Sequence, residues 1–408
     1  MDVKSAFLHG NIDTELYIEQ PEMFEERDSK NWVYRLKKGL YGLKQAGRIW
    51  HKTLHNHLIA YGYKSLESEP SIYIKRNTDD NIIIIAVYVD DLQILCNDMK
   101  MLENAKEGLK TQFKMTDLGE VHHILGLRIL RSENKTSIDQ AHYIESVLKR
   151  TNMYDCTPTN TPMETHTPLM PLLPDKEGHN IEEYRSIIGA LNYAAVLTRP
   201  DISTAVGFLA RHMQKPAISH WNALRRVLRY LKGTMNYGLV YHSTTQNGTD
   251  HIQVYCDSDW AGDHKDRKST TGYVIMFNRT AISHKSLKQS GVSTSSVEAE
   301  YIALATTATE VLWLRTLLQE LGFNASTATI IDSDNDGAVN IAENGIVSHR
   351  TRHIDVKHHF IKHNIESNII ALHHCSSTDN TADTFTKALP YLRFAECRAE
   401  MGMEEILT

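Results

Sequence analysis

The chain has 408 residues, 41% of them apolar and 23% charged, with a net charge of −6. That length is two or three domains' worth at about 100–200 residues each, and that composition excludes a disordered tail. The acidic balance excludes a whole-chain basic footprint, so any nucleic-acid contact has to come from local stripes. The longest apolar run, Ile82–Val87, is far too short to span a bilayer, and no membrane partner is expected. No basic-then-apolar leader opens the sequence. Five scattered cysteines, Cys96, Cys156, Cys256, Cys375 and Cys397, offer no disulfide framework and no CxxC zinc site. An intracellular, reducing setting is the expectation.

In chain order, residues 30–52 carry seven basic side chains without one acid. Asn81–Cys96 reads as two β-rich runs around Asp90-Asp91, a hairpin with acids at its tip. Cys156–Gly178 holds five of the ten prolines and is expected to be an extended connector. His220–Lys232 puts Trp221, Leu224, Val227, Leu228 and Leu231 on one helical face, with Gly233 ending the helix. Arg225, Arg226, Arg229 and Lys232 gather on the other side. A polar stretch, Ser243–Asp250, precedes a strand at Ile252–Asp257 and a β-rich Gly272–His284. A long helix from about Ser296 carries an apolar stripe of Val297, Tyr301, Ala305, Ala308, Leu312 and Leu318, and a strand follows at Ala328–Asp334. The division is 1–155, 156–242 and 251–390, with 391–408 a frayed tail. The fold class is α/β, an α+β first part followed by a mixed-sheet α/β domain.

Two sets of carboxylates carry the chemistry. Asp90 and Asp91 are adjacent acids in an apolar, β-branched setting, where like charges repel and resist desolvation unless a cation neutralises them. Hard divalent ions prefer such oxygens. In the third part, Tyr255 and Asp257 share one face of their strand and Cys256 points away. Glu298 and Glu300 lie about 200° apart on their helix, so only one can face a common site. Asp332 and Asp334 share a face of the next strand. Any one of these acids alone is more simply a solvated surface group.

The strings around these acids resemble, in order, the Pol polyprotein of copia-type LTR retrotransposons. MDVKSAFLHGNIDTELYIEQPEMF (1–24), RLKKGLYGLKQAGRIW (35–50) and VYVDDLQI (87–94) are similar to blocks of its reverse transcriptase. FKMTDLGEVHHILGLRI (113–129), YRSIIGALNYAAVLTRPDI (184–202) and RRVLRYLKGT (225–234) are similar to the region after the palm. DSDWAGDHKDRKSTTGYV (257–274), SSVEAEYIAL (295–304), RTRHIDVKHHFI (350–361) and ADTFTKALP (382–390) are similar to its ribonuclease H.

The resemblance implies a palm remainder over 1–155, a thumb- or connection-like region over 156–242 and a ribonuclease H-like domain over 251–390. It implies that Asp2, Asp90 and Asp91 hold two magnesium ions for polymerisation, with Tyr88 near the primer end. It further implies that Asp257, Glu300, Asp334 and Asp383 hold metal for RNA hydrolysis, magnesium with manganese able to substitute. Template–primer and RNA–DNA hybrid are the implied partners, with deoxynucleoside triphosphates for a complete polymerase. Arg225, Arg226, Arg229 and Lys232 are candidate duplex contacts, and Lys265, Arg267, Lys268, Lys285 and Lys288 candidate hybrid contacts. The family places these activities in cytoplasmic virus-like particles or the nucleus. The first residues match a point where the family's polymerase is already under way, so an incomplete polymerase is expected. The other reading is a catalytically silent remnant that at most binds nucleic acid or a polyprotein partner. Oligomeric state is not legible. Histidines 349, 353, 358, 359 and 363 have partial zinc spacing, but matching the family's HIDVKHHF block accounts for them without metal.

Overall fold

The computed structural model describes residues 1–25, 32–165, 180–243, 252–323, 326–344 and 355–407. The chain divides into two units, Met1–Val121 with Arg315–Asn324, and His122–Leu314 with Ala325–Thr408.

The first unit contains β1 (Asp2–Val3), β2 (Tyr17–Glu19), β3 (Val33–Arg35), α1 (Ala46–Ala60), β4 (Lys64–Ser65), β5 (Ile72–Arg76), β6 (Ile82–Tyr88), β7 (Asp91–Cys96), α2 (Met99–Gln112) and β8 (Met115–Thr116). Six of these strands form an antiparallel sheet in the order β4-β5-β6-β7-β1-β8. The isoleucine run of β6 suits a pleated surface. Ile83 and Ile85 are fully buried, and Ile82 and Ile84, on the opposite face, are half-buried. Ile83 and Ile85 share a core with Trp50, Leu54 and Leu58, spaced four apart along one face of α1, and with Leu109 of α2. Asp98 caps α2, its carboxylate accepting the Met101 N–H at 2.7 Å.

The β6–β7 hairpin closes through Val89 and Asp90, with Tyr88 opposite Asp91 in register. Asp90 therefore sits in the turn, and Asp91 already belongs to the strand. Val89 has φ 57°, left-handed backbone that a β-branched residue adopts only when held there. The indole N–H of buried Trp50 donates to the Val89 carbonyl and supplies part of that hold.

The second unit begins with β9 (His123–Ile124), β10 (Leu127–Ser132), β11 (Lys135–Asp139), α3 (Ala141–Arg150), α4 (Ile181–Leu197), α5 (Ser203–Ala210), α6 (Ile218–Gly233) and β12 (Tyr237–His242). On α6 all five expected apolar residues are buried. Gly233 does not terminate it; it lies in the last turn, and Thr234 is the cap. Between α4 and α5 lies a fully buried ion pair, Arg199 to Asp201 at 2.7 Å, with Tyr230 donating to the same carboxylate. Arg199 also donates to the Thr234 carbonyl at 2.9 Å, so this buried charge is fully hydrogen-bonded, as burial requires.

Then come β13 (Ile252–Asp259), β14 (Thr270–Phe277), β15 (Thr280–Lys288), α7 (Ser296–Leu321), β16 (Thr329–Ser333), α8 (Asp336–Asn344), α9 (Asp355–Glu366), β17 (Ile370–His374), α10 (Tyr391–Glu400) and β18 (Met403–Glu405). One five-stranded sheet runs β15-β14-β13-β16-β17, antiparallel through its first three strands and parallel through its last three. It is the mixed sheet of an α/β domain, as expected for this part of the chain. The burial of α7 is broader than the expected stripe. Ala303, Leu304, Val311 and Leu314 are buried as well, while Val297, Leu312 and Leu318 of the stripe are only half-buried, as in a helix packed on several sides.

A second, antiparallel sheet runs β18-β12-β11-β10-β9. The end of the chain does not fray as expected. Phe394, Cys397, Met401 and Met403 are buried, and β18 pairs with β12, Met403 opposite Leu239. Burial of this apolar face fixes the tail. Residues 166–179 and 244–250, most of the expected connector and the polar break, lie outside the described residues, as do His349 and His353.

Candidate active site

The site is built where β13, α7, β16 and a short 3-10 turn, Thr381–Phe385, meet. Asp257 lies on the central strand β13 opposite Gly272 of β14. A Cβ at Gly272 would stand 2.7 Å from Thr386 Cγ2 and 2.8 Å from Phe385 Cβ, so glycine there lets the turn lie directly on the sheet. Asn380 secures that turn from both sides. Its Oδ1 accepts the Ala382 N–H at 3.1 Å, and its Nδ2 donates to the Cys256 carbonyl at 3.0 Å. Thr386 Oγ1 then donates to the Asp257 carboxylate.

At the start of α7 the two glutamates separate by role. Glu298 Oε2 accepts the Thr294 N–H at 2.6 Å and its hydroxyl at 2.8 Å, closing the helix end. Glu300 faces β13, and its Oε1 accepts the Ser258 N–H at 3.2 Å. Its Oε2 is buried with no partner among the described residues. Burial, with Asp257 and Asp334 beside it, pushes the Glu300 carboxyl up to about 10.

Asp334 lies one residue past β16, between the strand end and the Asn335 side chain that caps α8 through the Ala338 N–H at 2.9 Å. The expected common face of Asp332 and Asp334 is absent, because strand alternation stops at Ser333. Asp332 pairs instead with His373 on β17, Oδ1 to Nδ1 2.6 Å. Asp336 is the first residue of α8 and reaches His374 at 3.6 Å.

Asp257, Glu300 and Asp334 each offer a carboxylate oxygen, and these atoms lie within 4.8 Å of one another. Asp383 joins them through Lys387, whose Nζ is 2.6 Å from Asp383 Oδ1 and 3.9 Å from Asp257 Oδ2. Burial and the neighbouring Asp257 raise the Asp383 carboxyl. Like charges this close cannot all ionise without a compensating cation. Hard oxygen donors, a buried oxygen without a partner and mutual repulsion together fit divalent-metal use.

The first acidic set is held differently. Asp2 of β1 stands opposite Asp91 of β7, and the Asp90 carbonyl accepts the Val3 N–H at 2.9 Å. All three acids are half-buried. Burial, followed by Asp90 and Asp2, raises the Asp91 carboxyl. Among the described residues only Asp257, Glu300 and Asp334 draw their oxygens into a metal-sized group, so the first set is adjacent but not gathered.

Tyr88 is 58% exposed beside the turn. The basic face of α6 is largely engaged by the chain itself. Arg226 donates to the Thr161 carbonyl at 3.2 Å and pairs with Glu164 at 2.7 Å; Arg229 donates to the Thr157 carbonyl at 2.7 Å. The Lys232 ammonium lies 4.0 Å from the Tyr154 ring centroid, and Arg225 alone of the four is exposed. Lys288 is likewise spent on Asp263 and Asp266, at 2.6 and 2.9 Å. Lys268 is half-buried, in the loop between β13 and β14. Sequence reasoning missed Asn380, Thr386 and Lys387. Thr386 and Lys387 lie inside the ADTFTKALP block, which was the signal available for both.

The family model for reverse transcriptase (RNA-dependent DNA polymerase) matches residues 1–165. A putative transposon Ty5-1 protein of Saccharomyces cerevisiae is 36% identical over 317 residues, covering 76% of this chain and 100% of that protein. This chain belongs to the copia-type retrotransposon Pol family. The retrovirus-related Pol polyprotein from transposon TNT 1-94 of Nicotiana tabacum is 39% identical over 99% of this chain. The chain spans 30% of that relative's length. Among solved structures, a ribonuclease H1 crystallised with an RNA/DNA hybrid aligns with 33% of this chain and 94% of its own. Its identity to this chain is 18% and its TM-score 0.26. Within the family's order of blocks, the gathered acids fall in the C-terminal part and the adjacent acids in the reverse transcriptase part.

Proposed function

We propose that this chain carries the ribonuclease H activity of a copia-type Pol protein, hydrolysing RNA in RNA–DNA hybrids, together with part of its RNA-directed DNA polymerase. The observation that carries the reading is the gathering of Asp257, Glu300 and Asp334, with the Glu300 Oε2 buried and unpaired among the described residues. These three acids and Asp383 would hold magnesium, or manganese in its place. Such ions supply Lewis acidity at the scissile phosphate and a water of lowered pKa.

The chain's own residues do the rest. The Thr386 hydroxyl and the Ser258 N–H fix the carboxylate orientations of Asp257 and Glu300. The Asn380 clamp keeps Asp383 against β13. Rigid placement of charge, rather than covalent chemistry, is what phosphoryl chemistry asks of a protein. RNA is distinguished from DNA by its 2′-hydroxyls and groove shape, so no base readout is needed. Asp2, Asp90 and Asp91, adjacent but not gathered, would be the residues that hold metal for primer extension on a template–primer with deoxynucleoside triphosphates, with Tyr88 exposed beside them.

The test is cleavage of end-labelled RNA in a hybrid by the purified 408-residue chain, with and without magnesium. Magnesium-dependent cutting of the RNA strand is expected, with single-stranded RNA left intact. Absence of magnesium-dependent cleavage by a folded chain overturns the reading.

A further inference from the structure

Lys387 stands inside the acidic group. Its Nζ lies 2.6 Å from Asp383 Oδ1 and 3.9 Å from Asp257 Oδ2, and its side chain is 48% exposed. It is thus close enough to neutralise two of the acids, yet anchored by a long stem with room to swing into solvent. Asp257 has a second donor in the Thr386 hydroxyl, so loss of the ammonium would leave that carboxylate hydrogen-bonded but not charge-balanced. The Lys387 charge also reaches Glu300 and Asp334.

We propose that Lys387 is a resident counter-ion, balancing the Asp257–Asp383 edge while no divalent ion is bound and giving way when one enters. This rests on reading the four acids as the ribonuclease metal site. The charge balance supports the displacement. Four ionised carboxylates are matched by two divalent ions, which leaves the ammonium without a counter-charge at its present position. Ammonium and metal then compete for the same oxygens. Lys387 keeps the metal-free site from repelling itself apart, and it weakens metal binding by the work needed to break its ion pairs.

The experiment is calorimetric titration of the chelator-stripped full chain with magnesium chloride, alongside thermal melts in chelator and in magnesium. The proteins are the parent, Lys387→Met, Lys387→Gln, Lys387→Arg and Asp257→Asn. Both neutral variants should bind magnesium several-fold more tightly than the parent. Their metal-free melting temperatures should fall, and magnesium should restore more of their stability than it adds to the parent. Lys387→Arg keeps the charge and should stay near the parent. If either neutral variant folds and binds magnesium with the parent's affinity or more weakly, the counter-ion assignment is wrong. If the parent binds no magnesium that Asp257→Asn removes, the metal site itself falls, and the displacement with it.

Discussion

Asn380 and Cys256 are 124 residues apart in sequence, and a 3.0 Å hydrogen bond from the Asn380 amide to the Cys256 carbonyl joins them. That bond attaches the turn carrying Asp383 to the strand carrying Asp257. Asn380 is fully buried, and its other side-chain atom caps the same turn. Asn380→Ala therefore removes a cap and strands a buried carbonyl. The expected cost is about 2–4 kcal/mol, combining a lost cap with an unsatisfied buried group. Chemical denaturation should read this loss, and hybrid cleavage should fall more than for an Ala substitution at exposed Lys265.

Asp257→Asn should lower magnesium-dependent RNA cleavage by about 100-fold or more, the usual scale for losing one preorganised charge contact. The domain should stay folded, because removing one of several repelling carboxylates relieves strain. Asp90→Asn in the same chain should leave cleavage nearly unchanged, since Asp90 and Asp257 belong to different units. Rate measurements on both variants check the assignment. If Asp257→Asn cuts as fast as the parent, Asp257 is not part of the site.

Stability of the metal-free chain should depend on pH through Glu300. Its carboxyl rises from 4.5 to about 10 on folding. A raised acid makes its full contribution below the unfolded value, and that contribution is lost as pH rises through the folded one. The melting temperature in chelator should therefore fall from about pH 5 to about pH 9, in the window set by that shift. Glu300→Gln should flatten this slope, and magnesium should flatten it in the parent by pairing with the charged form. Equal slopes for parent and Glu300→Gln in chelator would remove Glu300 as the cause.

The hairpin turn of the first unit gives a prediction of opposite sign to the usual one. Val89 holds a φ of 57° that glycine adopts freely. Val89→Gly should stabilise the chain by about 0.5–1 kcal/mol, the strain relieved less the added chain entropy. Ile85→Ala, two turns of alternation away in the buried face of β6, should instead cost about 2–5 kcal/mol. Urea melts of the two variants separate strain from packing.

Much of the molecule was legible in the sequence because it depends on short-range periodicity. Two β-rich runs in residues 81–96 marked the hairpin, and the apolar spacing of residues 220–232 marked α6 and its buried face. The acids at Asp257 and Glu300 were legible from the order of motifs, and helical geometry alone allowed only one of Glu298 and Glu300 at the site. Which acids actually meet was a matter of tertiary structure. Asp334 escapes strand alternation because β16 stops one residue earlier, and Asp332 turns to His373 because β17 lies alongside. Lys387 reaches Asp257 only because a buried asparagine and a missing Cβ at Gly272 let a distant turn settle on the central strand. Two arginines of α6, part of a basic stripe on paper, are spent inside the chain, Arg226 on the Thr161 carbonyl and Arg229 on the Thr157 carbonyl. A sequence fixes the charges and local periods a chain carries. Which charge neutralises which is decided by long-range packing, since electrostatic partners are chosen by distance in space.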